Sequence, residues 1–132
     1  MLDTNICIHL MQKQPEVLMD RIAELNAGDV VISVVSYAEL CAGVERRASE
    51  RAVAARVLGN FIKEVPVLPF DEHAAEEFGR FRAALPDRRR DALDRLIAAH
   101  AVAQDLVLIT NNEADFRDYP GLRLENWVAN PH

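Results

Sequence analysis

Four acidic residues stand where short apolar runs give way to polar ones. They are Asp3 in MLDTN, Glu39 in SYAEL, Asp94 in DRLI and Asp115 in TNNEADF. Carboxylates gathered without His or Cys suit a hard cation such as Mg2+ or Mn2+, which takes oxygen ligands and keeps several waters. Such an ion lowers the pKa of a water and holds a phosphoryl oxygen, the two needs of phosphodiester hydrolysis. Repulsion within the acid set would be relieved by the ion.

Each acid also has an ordinary structural use. Asp3, with Thr4 and Asn5, can cap a following helix. Ser36-Tyr37-Ala38-Glu39 spells a capping box, in which Glu39 would fold back onto the Ser36 amide. Asp94 lies near a helix start, where the dipole favours a carboxylate in any protein. Asp115, three residues after Asn112, can cap a surface helix. The run Arg88 to Arg90 suits a solvated face, and His100, among Ile97, Ala98, Ala99 and Ala101, suits a partly buried, hydrogen-bonded histidine.

What brings the acids together is the order of elements. Val30 to Val34, Val65 to Leu68 and Leu106 to Thr110 are apolar runs of strand length. Leu2 ends a short first strand, and Leu122 to Leu124 forms a last one. Helices are expected between them. Pro15 sits at a first helical position before a stripe of Val17, Leu18, Ile22 and Leu25. Tyr37, Leu40, Cys41 and Val44 make a second stripe, and Leu93, Leu96, Ile97 and Ala101 a third. Asp71 is placed to cap a helix running to about Leu85. Strands apolar on both faces and separated by helices predict an α/β fold with a parallel sheet covered on both sides. Ligands of such sheets gather beyond the carboxyl ends of the strands. Asp3, Glu39, Asp94 and the Asn111-Asn112-Asp115 stretch all fall at that edge.

The bulk numbers set limits. A chain of 132 residues, half of them hydrophobic and 27% charged, suits one domain spanning 1–132, with no repeat or low-complexity segment. The start lacks the basic region of a signal peptide. The longest apolar run, Leu96 to Ile109, is broken by His100, Gln104 and Asp105, so a cytoplasmic protein without membrane contact is expected. Cys7 and Cys41 have no metal-type spacing and read as small buried hydrophobes. The net charge of −6 argues against diffuse attraction to nucleic acid. Any such partner must be held locally, with Arg80, Arg82 and Arg88 to Arg90 as the candidate cations.

Taken in order, MLDTN, SYAEL, DRLIAAHA and LITNNEADF, followed by PGLRLENW, resemble the VapC-type PIN-domain ribonucleases, toxins of bacterial VapBC toxin–antitoxin pairs. The resemblance runs over almost the whole chain. It places the family's acids on Asp3, Glu39, Asp94 and Asp115, and makes them the catalytic, metal-holding set. Thr110 and Asn112 match polar positions that orient the acids or the metal's waters, and Asn5 belongs to the same pocket. The frame DxxI, counted back from Ile97, selects Asp94, with Asp91 one helical turn earlier as the alternative. The implied fold is a PIN-like α/β/α sandwich with a four- or five-stranded parallel sheet. The implied activity is Mg2+- or Mn2+-dependent cleavage of structured RNA, tRNA among the candidates, at a defined loop, leaving a 5′-phosphate and a 3′-hydroxyl. A homodimer and a VapB-type antitoxin, forming a higher assembly with the toxin, are implied too.

Two rivals come from other classes. A phospho-receiver domain also carries acids at strand ends, and Asp71 could mimic its phosphorylated Asp. That fold needs a Lys after its last strand, whereas Lys13 and Lys63 lie in the first half of the chain. A PIN-like module that binds without cutting is the other rival, and the intact acid set argues against it.

Overall fold

The computed structural model describes residues 1–85 and 92–128. The elements follow in the order α1 (Thr4–Met11), α2 (Glu16–Ala23), β1 (Ile32–Ser33), α3 (Val34–Glu45), α4 (Arg51–Glu64), β2 (Val67–Leu68), α5 (Glu72–Ala84), α6 (Ala92–Ala103), β3 (Leu108–Ile109) and β4 (Leu124–Glu125). Short 3-10 turns at Ala48–Glu50 and Glu113–Asp115 complete the described chain.

Leu2 holds the sheet together. It bridges Ile32 on one side and Ile109 on the other, both in parallel. β1 pairs with β2 and β3 with β4, again in parallel. The spatial order is therefore β2, β1, Leu2, β3, β4. The chain winds outward from Leu2 in one direction, then returns to wind outward in the other. The order reverses between Leu2 and β3, and the carboxyl ends of those two segments are Asp3 and Thr110. The Asp3 amide donates to Ile109 O at 3.0 Å, and the Ile109 amide to Met1 O at 2.8 Å. This is the crevice in which open parallel sheets bind ligands.

Side chains alternate across the sheet as strand geometry requires. Leu2, Ile32 and Ile109 enter an apolar cluster with Ile6, Leu18, Leu40 and Leu58 from α1 to α4. Met1 and Leu108 face the other way, into a cluster with Phe81 of α5 and Ile97 and Ala98 of α6. Helices thus cover both faces, as the two-sided apolar strands predict.

Several local expectations are corrected. The strands are shorter than their apolar runs. β1 stops at Ser33 because the Ser33 hydroxyl accepts the Val35 amide at 3.0 Å and caps α3. Ser36, named in the expected capping box, is instead a buried residue inside that helix. Pro15 occupies the cap position of α2 rather than its first turn. The α6 stripe is displaced, since Leu93 is 46% exposed while Arg95, Ile97, Ala98 and Ala101 are buried. Helix α4 was not expected at all, although Val53, Val57, Leu58, Phe61 and Ile62 mark an apolar face. Asp71 caps α5 as predicted, accepting the Ala74 amide at 3.0 Å.

Candidate active site

Asp3 is positioned by both elements it joins. Its backbone belongs to the sheet, while its Oδ1 accepts the Ile6 amide at 2.9 Å and caps α1. The cap and a site role are compatible here, because a carboxylate has lone pairs beyond the one the cap uses. The Thr110 hydroxyl donates to Asp3 and accepts the Asn112 amide at 3.0 Å. With only 4% of its surface exposed, the Asp3 carboxyl is pushed above the usual carboxylate range, chiefly by burial. The Thr110 hydroxyl, the Ile6 amide and the His9 charge oppose the rise, and the Glu39 charge adds to it.

Glu39 lies on α3 and is half-buried. Thr4 Oγ1 donates to Glu39 Oε1 at 2.6 Å and lies 3.2 Å from Ser36 Oγ. Glu39 is therefore held from α1, toward Asp3, rather than folded onto its own helix start. Asp94 sits in the first turn of α6. Asn112 Nδ2 donates to Asp115 Oδ2 at 2.5 Å, so Asp115 is fixed by its loop and caps no helix.

Asp3, Glu39, Asp94 and Asp115 line one cavity of about 730 Å3, and Asn5 and Asn112 line it with them. Thr110 lies beneath, fully buried behind Asp3. Every site residue expected from the sequence is thus at this edge of the sheet. Asp91 and Arg88 to Arg90 lie outside the described residues. Among the described residues, no three His, Cys, Asp or Glu side chains stand close enough to enclose an ion by themselves.

The candidate cations that fall within the described residues, Arg80 and Arg82, lie away from the cavity. Arg80 on α5 pairs with Glu77, and neither Arg80 nor Arg82 lines the cavity. Arg46 and Arg47, at the end of α3, line it instead. Their spacing from Glu39 on one helix was a signal available in the sequence. His100 is buried more deeply than expected. Its Nδ1 lies 2.7 Å from Ser33 Oγ and its ring meets Phe70 edge-on. Burial lowers its pKa, with the Asp71 charge and the Pro69 carbonyl opposing. Cys7 is a free, buried thiol and Cys41 a free, half-buried one. Among the described residues no helix is long and apolar enough to cross a membrane.

Comparison with known proteins places this geometry in context. Residues 1–122 match the PIN domain. The chain is 38% identical over 130 residues to a tRNA(fMet)-specific endonuclease VapC of Shigella flexneri, covering 96% of each. Among solved structures it is similar to a DNA-bound VapBC of Salmonella typhimurium, with a TM-score of 0.83, 35% identity and 96% of each chain covered. A VapBC2 from Rickettsia felis bound to a promoter DNA fragment matches with the same TM-score at 30% identity, again over 96% of each chain.

Proposed function

This chain belongs to the PIN-domain family, and we propose that it is a divalent-metal-dependent endoribonuclease, the toxin of a toxin–antitoxin pair. The observation that carries the proposal is the meeting of Asp3, Glu39, Asp94 and Asp115 on one cavity at the reversal point of a parallel sheet. Relatives named as VapC ribonucleases, and neighbours solved as VapBC complexes, support the same reading.

The donor set fits a hard cation: it consists of oxygen atoms alone, and it contains a desolvated Asp3 charge that a cation would stabilise. Asp3, Glu39 and Asp94 would hold Mg2+ or Mn2+ directly or through water, with Asp115 completing the site. When bound, the ion supplies Lewis-acid polarisation of the scissile phosphoryl group and lowers the pKa of a water. The chain's own residues do the positioning. The Ile6 amide and the Thr110 hydroxyl fix the Asp3 carboxylate, Thr4 fixes Glu39, and Asn112 fixes Asp115. Asn5 faces the same space and can donate to a phosphate oxygen or a water. No protein nucleophile is needed, and hydrolysis leaves a 5′-phosphate and a 3′-hydroxyl.

The substrate class is structured RNA, with tRNA favoured because the Shigella flexneri relative is named for tRNA(fMet). Exposed loop bases and RNA shape would choose the site of cleavage. The partner is a VapB-type antitoxin, and the toxin acts in the cytoplasm as a homodimer. The test is to incubate purified, antitoxin-free protein with unfractionated tRNA in Mg2+ or EDTA. Discrete fragments formed only with the metal are expected, and an unchanged tRNA pool in Mg2+ and in Mn2+ would overturn the proposal.

A further inference from the structure

Glu39, Gly43 and Arg46 occupy positions i, i+4 and i+7 of α3, which puts them on one face of the helix. All three line the cavity that holds the acids. Arg46 is the helix C-cap and keeps helical backbone angles, with φ −78 and ψ −7, so the register runs through to it. At a rise of 1.5 Å per residue, Arg46 stands about 10 Å beyond Glu39 along this face.

Two features of this line lack an explanation inside the chain. Gly43 sits in the interior of a helix, where glycine is destabilising relative to alanine. A Cβ built there would meet no atom within 4 Å. No neighbouring element therefore requires the missing side chain, and what it leaves is an open floor within the cavity. Arg46 is exposed and, among the described residues, makes no ion pair, while Arg47 beside it lies 3.6 Å from Glu50. Among the described residues lining the cavity, Arg46 and Arg47 are the two cations. A polyanion entering a space floored by carboxylates needs such a cation for the charge its reacting phosphate does not carry.

Resting on the nuclease reading above, we propose that the Glu39–Gly43–Arg46 face of α3 is the track of the RNA strand. The backbone crosses the bare floor at Gly43, and Arg46 holds a phosphate flanking the scissile one. The guanidinium fork binds phosphate oxygens bidentately, and no ion pair among the described residues occupies that of Arg46. Arg46 is a substrate-binding residue on this account, and Gly43 is a steric one.

The experiment compares wild type, Arg46→Ala, Gly43→Ala, Gly43→Leu and Arg80→Ala. Each is assayed for cleavage of unfractionated tRNA, for tRNA retention in filter binding, and for Mn2+ affinity by titration calorimetry. Arg46→Ala should raise KM roughly 10-fold with kcat little changed, in line with one lost charged contact. It should also flatten the dependence of log affinity on log salt by about 0.7, one phosphate contact on a single strand. Gly43→Leu should raise KM more than Gly43→Ala does, while both fold at least as stably as wild type, and Arg80→Ala should leave KM unchanged. Mn2+ affinity should stay at the wild-type value throughout. Unaltered KM and salt slope in Arg46→Ala and Gly43→Leu would overturn the track, even if antitoxin binding alone were lost. So would a fall in Mn2+ affinity in Arg46→Ala, which would move that residue into the ion site. Wild-type protein that retains tRNA without cutting it would sink the nuclease reading and still leave the track testable by retention.

Discussion

Thr4 Oγ1 and Glu39 Oε1 are joined at 2.6 Å across a separation of 35 residues. The contact ties the first turn of α1, which Asp3 caps, to the middle of α3, and so sets one acid against another. Removing it with Thr4→Val keeps the volume and leaves Glu39 free to turn. Groups that orient metal ligands are worth 10- to 100-fold in affinity or activity. A loss of about 10-fold in Mn2+ affinity is expected, read by calorimetry, with a change in stability of only about 1 kcal/mol for the lost bond.

Asp3→Asn should separate activity from stability. Burial raises the Asp3 carboxyl above its ordinary value of 3.8, so its contribution to folding is fully present below pH 3.8 and is lost as pH rises through its folded pKa. At pH 7 the metal-free wild type bears that cost. Asparagine keeps an acceptor for the Ile6 amide and removes the charge. Thermal melts in EDTA should show the variant more stable than wild type at pH 7, with the gap closing toward pH 4, while its cleavage is abolished. A variant less stable than wild type at pH 7 would count against the desolvated-charge description.

His100 gives stability a pH dependence of the opposite sense. Its folded pKa is lowered from 6.5, so the unfolded chain binds the proton more readily. Stability is therefore full above about pH 6.5 and declines as pH falls from there toward the lowered folded value. Urea unfolding at pH 7.5 and pH 5.5 should show a drop in wild type that is smaller in His100→Phe. Equal drops in the two proteins would remove His100 as the cause.

Ser33 serves two partners, accepting the Val35 amide at 3.0 Å and lying 2.7 Å from His100 Nδ1. Ser33→Ala should cost roughly 2 kcal/mol, from the lost helix cap and the unpaired buried ring nitrogen. In a double-mutant cycle with His100→Phe, measured by urea unfolding, the two losses should be less than additive.

Much of this arrangement is legible in the sequence, because it depends on patterns that stay local. The apolar runs around Leu2, Ile32 and Ile109 announce a covered sheet, and the polar residues that end them, Asp3 and Thr110, announce its ligand edge. Asp71 caps its helix where a lone Asp before a helical stretch should. What the sequence hides is set by contacts distant along the chain. Ser36 and Glu39 spell a capping box, yet Ser33 ends the strand first and Thr4 claims Glu39. Arg80 and Arg82 looked available to nucleic acid, but α5 lies on the face of the sheet opposite α4 and outside the cavity. Arg46 follows Glu39 by seven residues on α3, a local signal, whereas the packing of α4 beside α3 is a contact that no local pattern before it announces.

The most direct measurement is Mn2+ titration into wild type, Asp3→Asn and Glu39→Gln, followed by calorimetry. A site built from these carboxylates gives saturable binding in wild type that both substitutions weaken severely, with the fold retained. Absence of binding in wild type, or wild-type affinity in both variants, would contradict a metal-dependent site at this cavity.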